Sequence, residues 1–444
     1  MSRASLPPGP RLPRAMQTVR WVKRPTAYLE SCRMRYGDVF TMRLMHEGTW
    51  VLFSHPEAVK QIFTGSPEVF HAGEANSILA PVLGSHSVLV LDERPHMVQR
   101  KLMLPAFHGE RMHRYRELIA DVASRELSLW PRREAVALAP RMQALTLEVI
   151  MRAVFGVREA DRLEELRRRL RAFLDATSNP RVWAVLVLLG PERGVGTAPF
   201  RRALGRVDAV IYDEIRRRRE APDLQERDDI LSMLLGARHE DGSPMTDAEL
   251  RDELMTLLVA GHETTASALS WALERLVRHP HKLERLRTEA LAGGDEYVDA
   301  VAKETLRLRP ILPLVVRRLT EPVAIAGHEL PAGTTVACCI YLMHRRPEVY
   351  PDPGAFRPER FLEQPAGTYT WIPFGGGVRR CLGGSFAMFE MKTVLQTLAA
   401  SASLAPADPR AEHVRRRAIT FVPERGAEVV VGDAVAPAGE KVAA

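Results

Sequence analysis

Cysteine is scarce in this 444-residue chain: Cys32, Cys338, Cys339 and Cys381 are all it has. They form no CxxC pair and no framework spacing, which excludes a zinc ribbon and a disulfide scaffold. A reduced, cytoplasmic setting is the expectation that follows. The N-terminal stretch "MSRASLPPGPRLPRAMQ" lacks a long apolar run, so neither a signal peptide nor a membrane anchor is expected and the protein should be soluble. Internal repeats and low-complexity linkers are absent too. Excess charge is small: 62 basic residues against 55 acidic give a net +7. That balance suits a basic face for an acidic partner better than a nucleic-acid-binding surface.

What is present begins with composition. With 46% hydrophobic and 26% charged residues, the chain can bury a large core. Two regions read as β-rich, residues 38–55 and 323–341, because apolar residues alternate between glycine turns. Cys338 and Cys339 fall in the second and read as core packing. Most of the chain between them keeps helical spacing, including the arginine-laden stretches 163–174 and 212–221, whose charges form solvated faces.

One helix is unusually long. "TDAELRDELMTLLVAGHETTASALSWALERLVRHP" opens with Thr246 and Glu249 in a capping box and should stop at His279, before Pro280. At 1.5 Å per residue it spans roughly 50 Å. Its middle is apolar yet holds His262, Glu263, Thr264 and Thr265, and unpaired buried polar groups are costly. In the plain reading, Thr264 bonds back to the Ala260 carbonyl and Glu263 points to water. In the functional one, a groove beside Ala260 and Gly261 holds a small ligand, with Glu263 and Thr264 placed to pass it protons.

"KETLRLRP" puts Glu304 and Arg307 on one helix face. Alone the pair means little, but Arg360 in "YPDPGAFRPERF" could complete a buried ion triad with it, a device that fixes geometry better than it stabilises. Then comes "FGGGVRRCLGG", residues 374–384. Here Cys381 precedes a plausible helix among arginines and backbone N–H donors, surroundings that favour a thiolate. Gly375–Gly377 let the loop lie flat against a planar ligand, and Arg379 suits a carboxylate. The run lacks the third glycine of a dinucleotide fingerprint and the Lys-Ser/Thr of a phosphate loop. A soft sulfur facing a flat group with acidic substituents describes cysteine-ligated haem.

These residues resemble a known family. Phe374, Gly377, Arg379, Cys381 and Gly383 match the haem-binding signature of the cytochrome P-450 superfamily. "AGHETT" (260–265), Glu304 with Arg307, and the segment carrying Arg360 follow in that family's order. The resemblance implies a mainly α fold with a smaller β portion, one domain over residues 1–444, and haem b sandwiched between the long helix and the cysteine loop 374–384. It also implies roles. Cys381 would be the iron ligand, with Phe374, Gly375 and Gly383 around it. His96, Arg100, Arg317 and Arg379 would pair with the haem propionates, Arg318 standing beside Arg317. Glu263 and Thr264 would form the acid–alcohol proton relay, and Glu304, Arg307 and Arg360 the structural triad.

The implied activity is a soluble bacterial-type monooxygenase that activates dioxygen and hydroxylates or epoxidises a hydrophobic small molecule. Only 63 residues follow Cys381, so no fused reductase is expected. Electrons would come from a ferredoxin or flavodoxin with an NAD(P)H-dependent reductase, the enzyme itself being a monomer. By the same resemblance, the substrate walls would be residues 71–91, the helices around 171–215, Ala260, Gly261, residues 311–316 including Val315, and Phe421. Several of these stretches, "RVWAVLVLLG" (181–190) among them, are almost wholly apolar. A peroxide-driven peroxygenase and a haem-based sensor are the competing readings; the intact Glu263–Thr264 pair disfavours the first and no signalling domain is visible for the second.

Overall fold

The computed structural model describes residues 6–107, 111–156, 160–177 and 198–434. Helices make up most of them, and the long helix Asp247–Val277 runs through the largest hydrophobic core. It starts where the capping box requires. Thr246 Oγ1 accepts from the Glu249 N–H at 3.2 Å, and the Glu249 carboxylate accepts from the Thr246 N–H at 2.8 Å. It ends two residues before His279, because His279 precedes Pro280 and takes a non-helical ψ of 71°.

Leu250, Leu254, Leu258, Leu269, Trp271 and Leu273 of this helix are buried. They pack against the helices Leu138–Phe155 and Gly384–Ser401, the second of which follows Cys381. The arginine-laden stretches lie in the helices Ala160–Thr177 and Ala198–Glu220, as their spacing indicates.

The two β-rich regions, far apart in sequence, meet in one sheet. Val39–Leu44 pairs with Gly48–Phe53 as an antiparallel hairpin. Gly48–Phe53 then pairs in parallel with Thr335–Cys338, in the register Val51 to Val336. Val315–Leu319 and the short Phe70–His71 complete the five strands. Val323–Ile325 and His328–Leu330 form a separate hairpin. Cys338 and Cys339 are fully buried, so they pack as small core residues. A further hairpin, Val414–Arg417 with Thr420–Pro423, lies against the long helix.

Candidate active site

The loop before Cys381 is closed on itself. The Cys381 N–H donates to the Phe374 carbonyl at 2.9 Å, the Arg380 N–H to Gly377 and the Gly375 N–H to Ile372. Gly375 and Gly377 take φ of +67° and +64°. A Cβ on Gly377 would lie 2.0 Å from the Phe63 carbonyl oxygen, so the third glycine of the run is required by a close approach as well as by φ. Phe374 packs edge-on against Trp371 and lies over Gly384.

Cys381 is exposed, although protein atoms surround it closely enough that desolvation raises its thiol pKa. The Gly383 N–H, Arg100 and Arg380 pull the thiol down, but burial outweighs them. Positive charge and the helix end therefore do not make a free thiolate here; a coordinated metal cation is what would remove the proton.

His96 and Arg379 each interact electrostatically with Arg100 and Arg317, and Asp92 is the carboxylate that acts on His96, Arg317 and Arg379. His96 is buried, and burial with the neighbouring arginines pushes its imidazole down to about 3, so it is neutral. Arg379 is tied to Asp92 and to the carbonyls of Val88 and Leu91. Arg317 is buried in its strand, whereas Arg318 pairs with Glu74 at 2.8 Å toward the surface. Among the described residues, Arg100 and Arg317 have no carboxylate within 4 Å. One buried and two half-buried arginines in excess over acid form a receptacle for an anionic group.

On the long helix, Ala260 is exposed, with Val259, Gly261, Glu263 and Thr264 half-buried around it and Leu258 and Thr265 buried beyond them. Thr264 Oγ1 donates to the Ala260 carbonyl at 2.6 Å, the ordinary back-bond within a helix. Glu263 does not point to bulk water. It lies 3.4 Å from Arg417 and 3.5 Å from the Thr420 hydroxyl, and burial raises its carboxyl against the pull of Arg417. His262 is buried, and desolvation lowers it to about 4. Gly261 also serves packing. A Cβ there would meet Ile150 Cδ1 at 3.1 Å, so it admits the neighbouring helix.

The three residues expected to meet do so. Arg307 grips Glu304 through two bonds, Nε to Oε2 at 2.7 Å and Nη2 to Oε1 at 2.9 Å, and Arg360 Nε approaches the same carboxylate at 3.1 Å. Arg307 also donates to the carbonyls of His344, Pro353 and Ala355. Sequence reasoning missed what this cluster holds. His344 Nε2 accepts from the Ile372 N–H at 2.9 Å, and the Tyr350 hydroxyl donates to Thr370 at 3.0 Å. Both link the triad to the start of the cysteine loop. An isolated His and Tyr carry no motif, so only contact reveals them.

A second set of unforeseen residues holds segment 83–88. Arg251 donates to the Leu83 carbonyl, Asp252 accepts from the His86 N–H, Glu253 accepts from Val88, and Thr256 bonds Ser87. Of the remaining expected walls, Val315 is half-buried near Gly375. Phe421 is 2% exposed and its ring packs between Trp21 and Tyr341, so it offers no surface to a ligand. Residues 181–190 lie outside the described residues.

An exposed cysteine in a closed loop before a helix, within electrostatic reach of Arg100, fits the thiolate-haem class of helical proteins. Comparison with known proteins makes this specific. The family model described as cytochrome P450 matches residues 6–412. The chain is 45% identical over 438 residues to cytochrome P450 135B1 of Mycobacterium tuberculosis, covering 97% of this chain and 92% of that protein. It is 40% identical over 426 residues to cytochrome P450 135A1 of the same organism, covering 96% and 94%. Among solved structures, the cyanobacterial CYP120A1 with retinoic acid bound superposes with a TM-score of 0.83 at 25% identity, covering 97% of this chain and all of that one. This chain belongs to the cytochrome P450 family, and it is a haem-dependent monooxygenase.

Cytochromes P450 bind haem b, and the residues present fit that group. The accessible sulfur of Cys381 is a soft donor for iron, and the cations around Arg100 and Arg317 match two carboxylates. Among the described residues no helix is long and apolar enough to cross a membrane.

Proposed function

We propose that Cys381 is the sulfur ligand of the haem and that the enzyme hydroxylates or epoxidises a hydrophobic small molecule. The observation that carries this reading is an accessible cysteine, in a loop closed by its own N–H and within electrostatic reach of Arg100. Bound haem supplies dioxygen activation and oxygen insertion, which an anionic sulfur donor favours.

The chain's own residues do the rest. Arg100, Arg317 and Arg379, with a neutral His96 as hydrogen-bond donor, orient the two carboxylates. An anion placed there would draw the imidazole pKa upward again. Thr264 holds a proton at Oγ1 beside the open face of the helix, and Glu263, whose carboxyl burial raises, is the acid that supplies it. Ala260 and Val315 present small apolar surface to the substrate. Arg380 and Val378 stand exposed on the outer side of the cysteine loop. An acidic ferredoxin or flavodoxin, reduced by its NAD(P)H-dependent reductase, would dock on such a basic patch.

The test is Cys381→Ser. The reduced carbon-monoxide complex should lose its long-wavelength absorbance; a variant that keeps it removes Cys381 as ligand.

A further inference from the structure

The first acidic residue of the chain is Glu30; Arg3, Arg11, Arg14, Arg20, Lys23 and Arg24 all precede it. The helix Arg14–Lys23 lies in this stretch. It buries Gln17, Thr18 and Trp21 and packs against the strand Val39–Leu44. Its other side leaves Met16 47%, Val19 52% and Val22 38% exposed. These three are spaced i, i+3, i+6, one row along one face. The turn of the hairpin that packs on this helix adds Ile419, 43% exposed.

Exposed apolar residues scattered singly need no explanation. A row of three on ten residues, with Arg14, Arg20, Lys23 and Arg24 exposed around it, is a different pattern. Among the described residues, none of those four is paired with a carboxylate. A solvated face would mix charges of both signs, and a second copy of the chain would set cations against cations. Apolar residues in the plane of a helix, rimmed by cations alone, complement an anionic lipid surface.

We propose that this helix lies on the surface of an anionic bilayer and docks the enzyme there reversibly. Met16, Val19 and Val22 enter the boundary between headgroups and acyl chains, while Arg14, Arg20, Lys23 and Arg24 meet lipid phosphates. The protein rests on the membrane without spanning it, in keeping with the absence of a spanning helix among the described residues. This contact is separate from the haem site, so its failure would leave the monooxygenase reading intact.

The experiment is vesicle flotation of the full-length, haem-loaded protein. Phosphatidylcholine vesicles with and without phosphatidylglycerol are compared at low and high salt. The expected result is flotation with phosphatidylglycerol vesicles at low salt, released at high salt. Val19→Glu and the double substitution Arg20→Ala with Lys23→Ala should each weaken it about tenfold or more, while Val19→Leu keeps it. An unchanged haem spectrum shows that each variant is folded. Three outcomes overturn the proposal: no flotation with either vesicle, equal flotation with both, or a Val19→Glu variant that floats like the parent. A concentration-dependent dimer that Val19→Glu abolishes would assign the face to a second copy instead and overturn it equally.

Discussion

Glu263 and Arg417 approach to 3.4 Å across the boundary between the long helix and the hairpin that ends at Pro423. The carboxylate next to Thr264 in sequence is thus held by a cation from another part of the chain. Two opposed forces act on it, desolvation that raises its carboxyl and the guanidinium that lowers it, and desolvation is the larger. A carboxyl shifted by burial and held by a specific cation is a candidate for such a relay.

Removing the carboxyl should therefore separate binding from turnover. Glu263→Gln is expected to lower turnover by about 10²-fold while the spectral shift on substrate binding is unchanged. Thr264→Ala should bind substrate equally well but divert electrons to peroxide. Arg417→Leu leaves desolvation opposed by the Thr420 hydroxyl without the guanidinium, so the pH–rate profile of turnover should move to higher pH. Product yield per electron that stays at the parental value in both relay variants would dismiss the relay.

Much of this site was legible before any coordinates. Cys381, the Glu304–Arg307–Arg360 cluster and the capped helix from Thr246 each carry a local signal: a motif, an i, i+3 pair or a capping box. The long-range consequences carry none. His344 is 28 positions from Ile372, and nothing near either residue announces the bond between them. Gly261 is ambiguous in the sequence because a helix glycine admits a ligand or a neighbouring helix, and only the structure shows Ile150 beside it. Phe421 misled because apolar character is shared by pocket walls and core.

The triad also fixes the cysteine loop, through His344 and Tyr350. Arg307→Ala would leave Glu304 buried beside Arg360 alone, a loss on the order of 3–5 kcal/mol for a broken buried pair. Little soluble, haem-loaded protein is expected. His344→Ala tests the link itself: the triad would stay paired while the Ile372 N–H loses its acceptor, costing about 1–3 kcal/mol. Haem occupancy, read as the ratio of haem to protein absorbance, should fall in both, more in the first. Full occupancy in His344→Ala would show that the loop is held without it.

Gly377→Ala should damage the same loop from the opposite side. The new Cβ would strike the Phe63 carbonyl oxygen, and φ of +64° disfavours any side chain. Backbone strain alone costs on the order of 1–3 kcal/mol, and the clash adds to it. Gly354→Ala is the control, since a Cβ there meets nothing within 4 Å and no positive φ is involved. Haem occupancy should drop in the first and hold in the second; equal occupancy would mean that the loop yields easily.

The last prediction concerns Glu390, buried on the helix that follows Cys381. One of its carboxylate oxygens has no hydrogen-bond partner, and burial raises its carboxyl to about 8 from an ordinary 4.5. Between these two values the folded protein holds a proton that the unfolded chain has released. Stability therefore falls as pH rises through this window, by up to several kcal/mol once the buried carboxylate must ionise unpaired. Glu390→Gln keeps the shape and cannot ionise. Its melting temperature should sit close to the parent's at pH 5 and increasingly above it toward pH 8.5. Parallel curves across that range would mean that the carboxyl has found a partner in the folded protein and titrates normally.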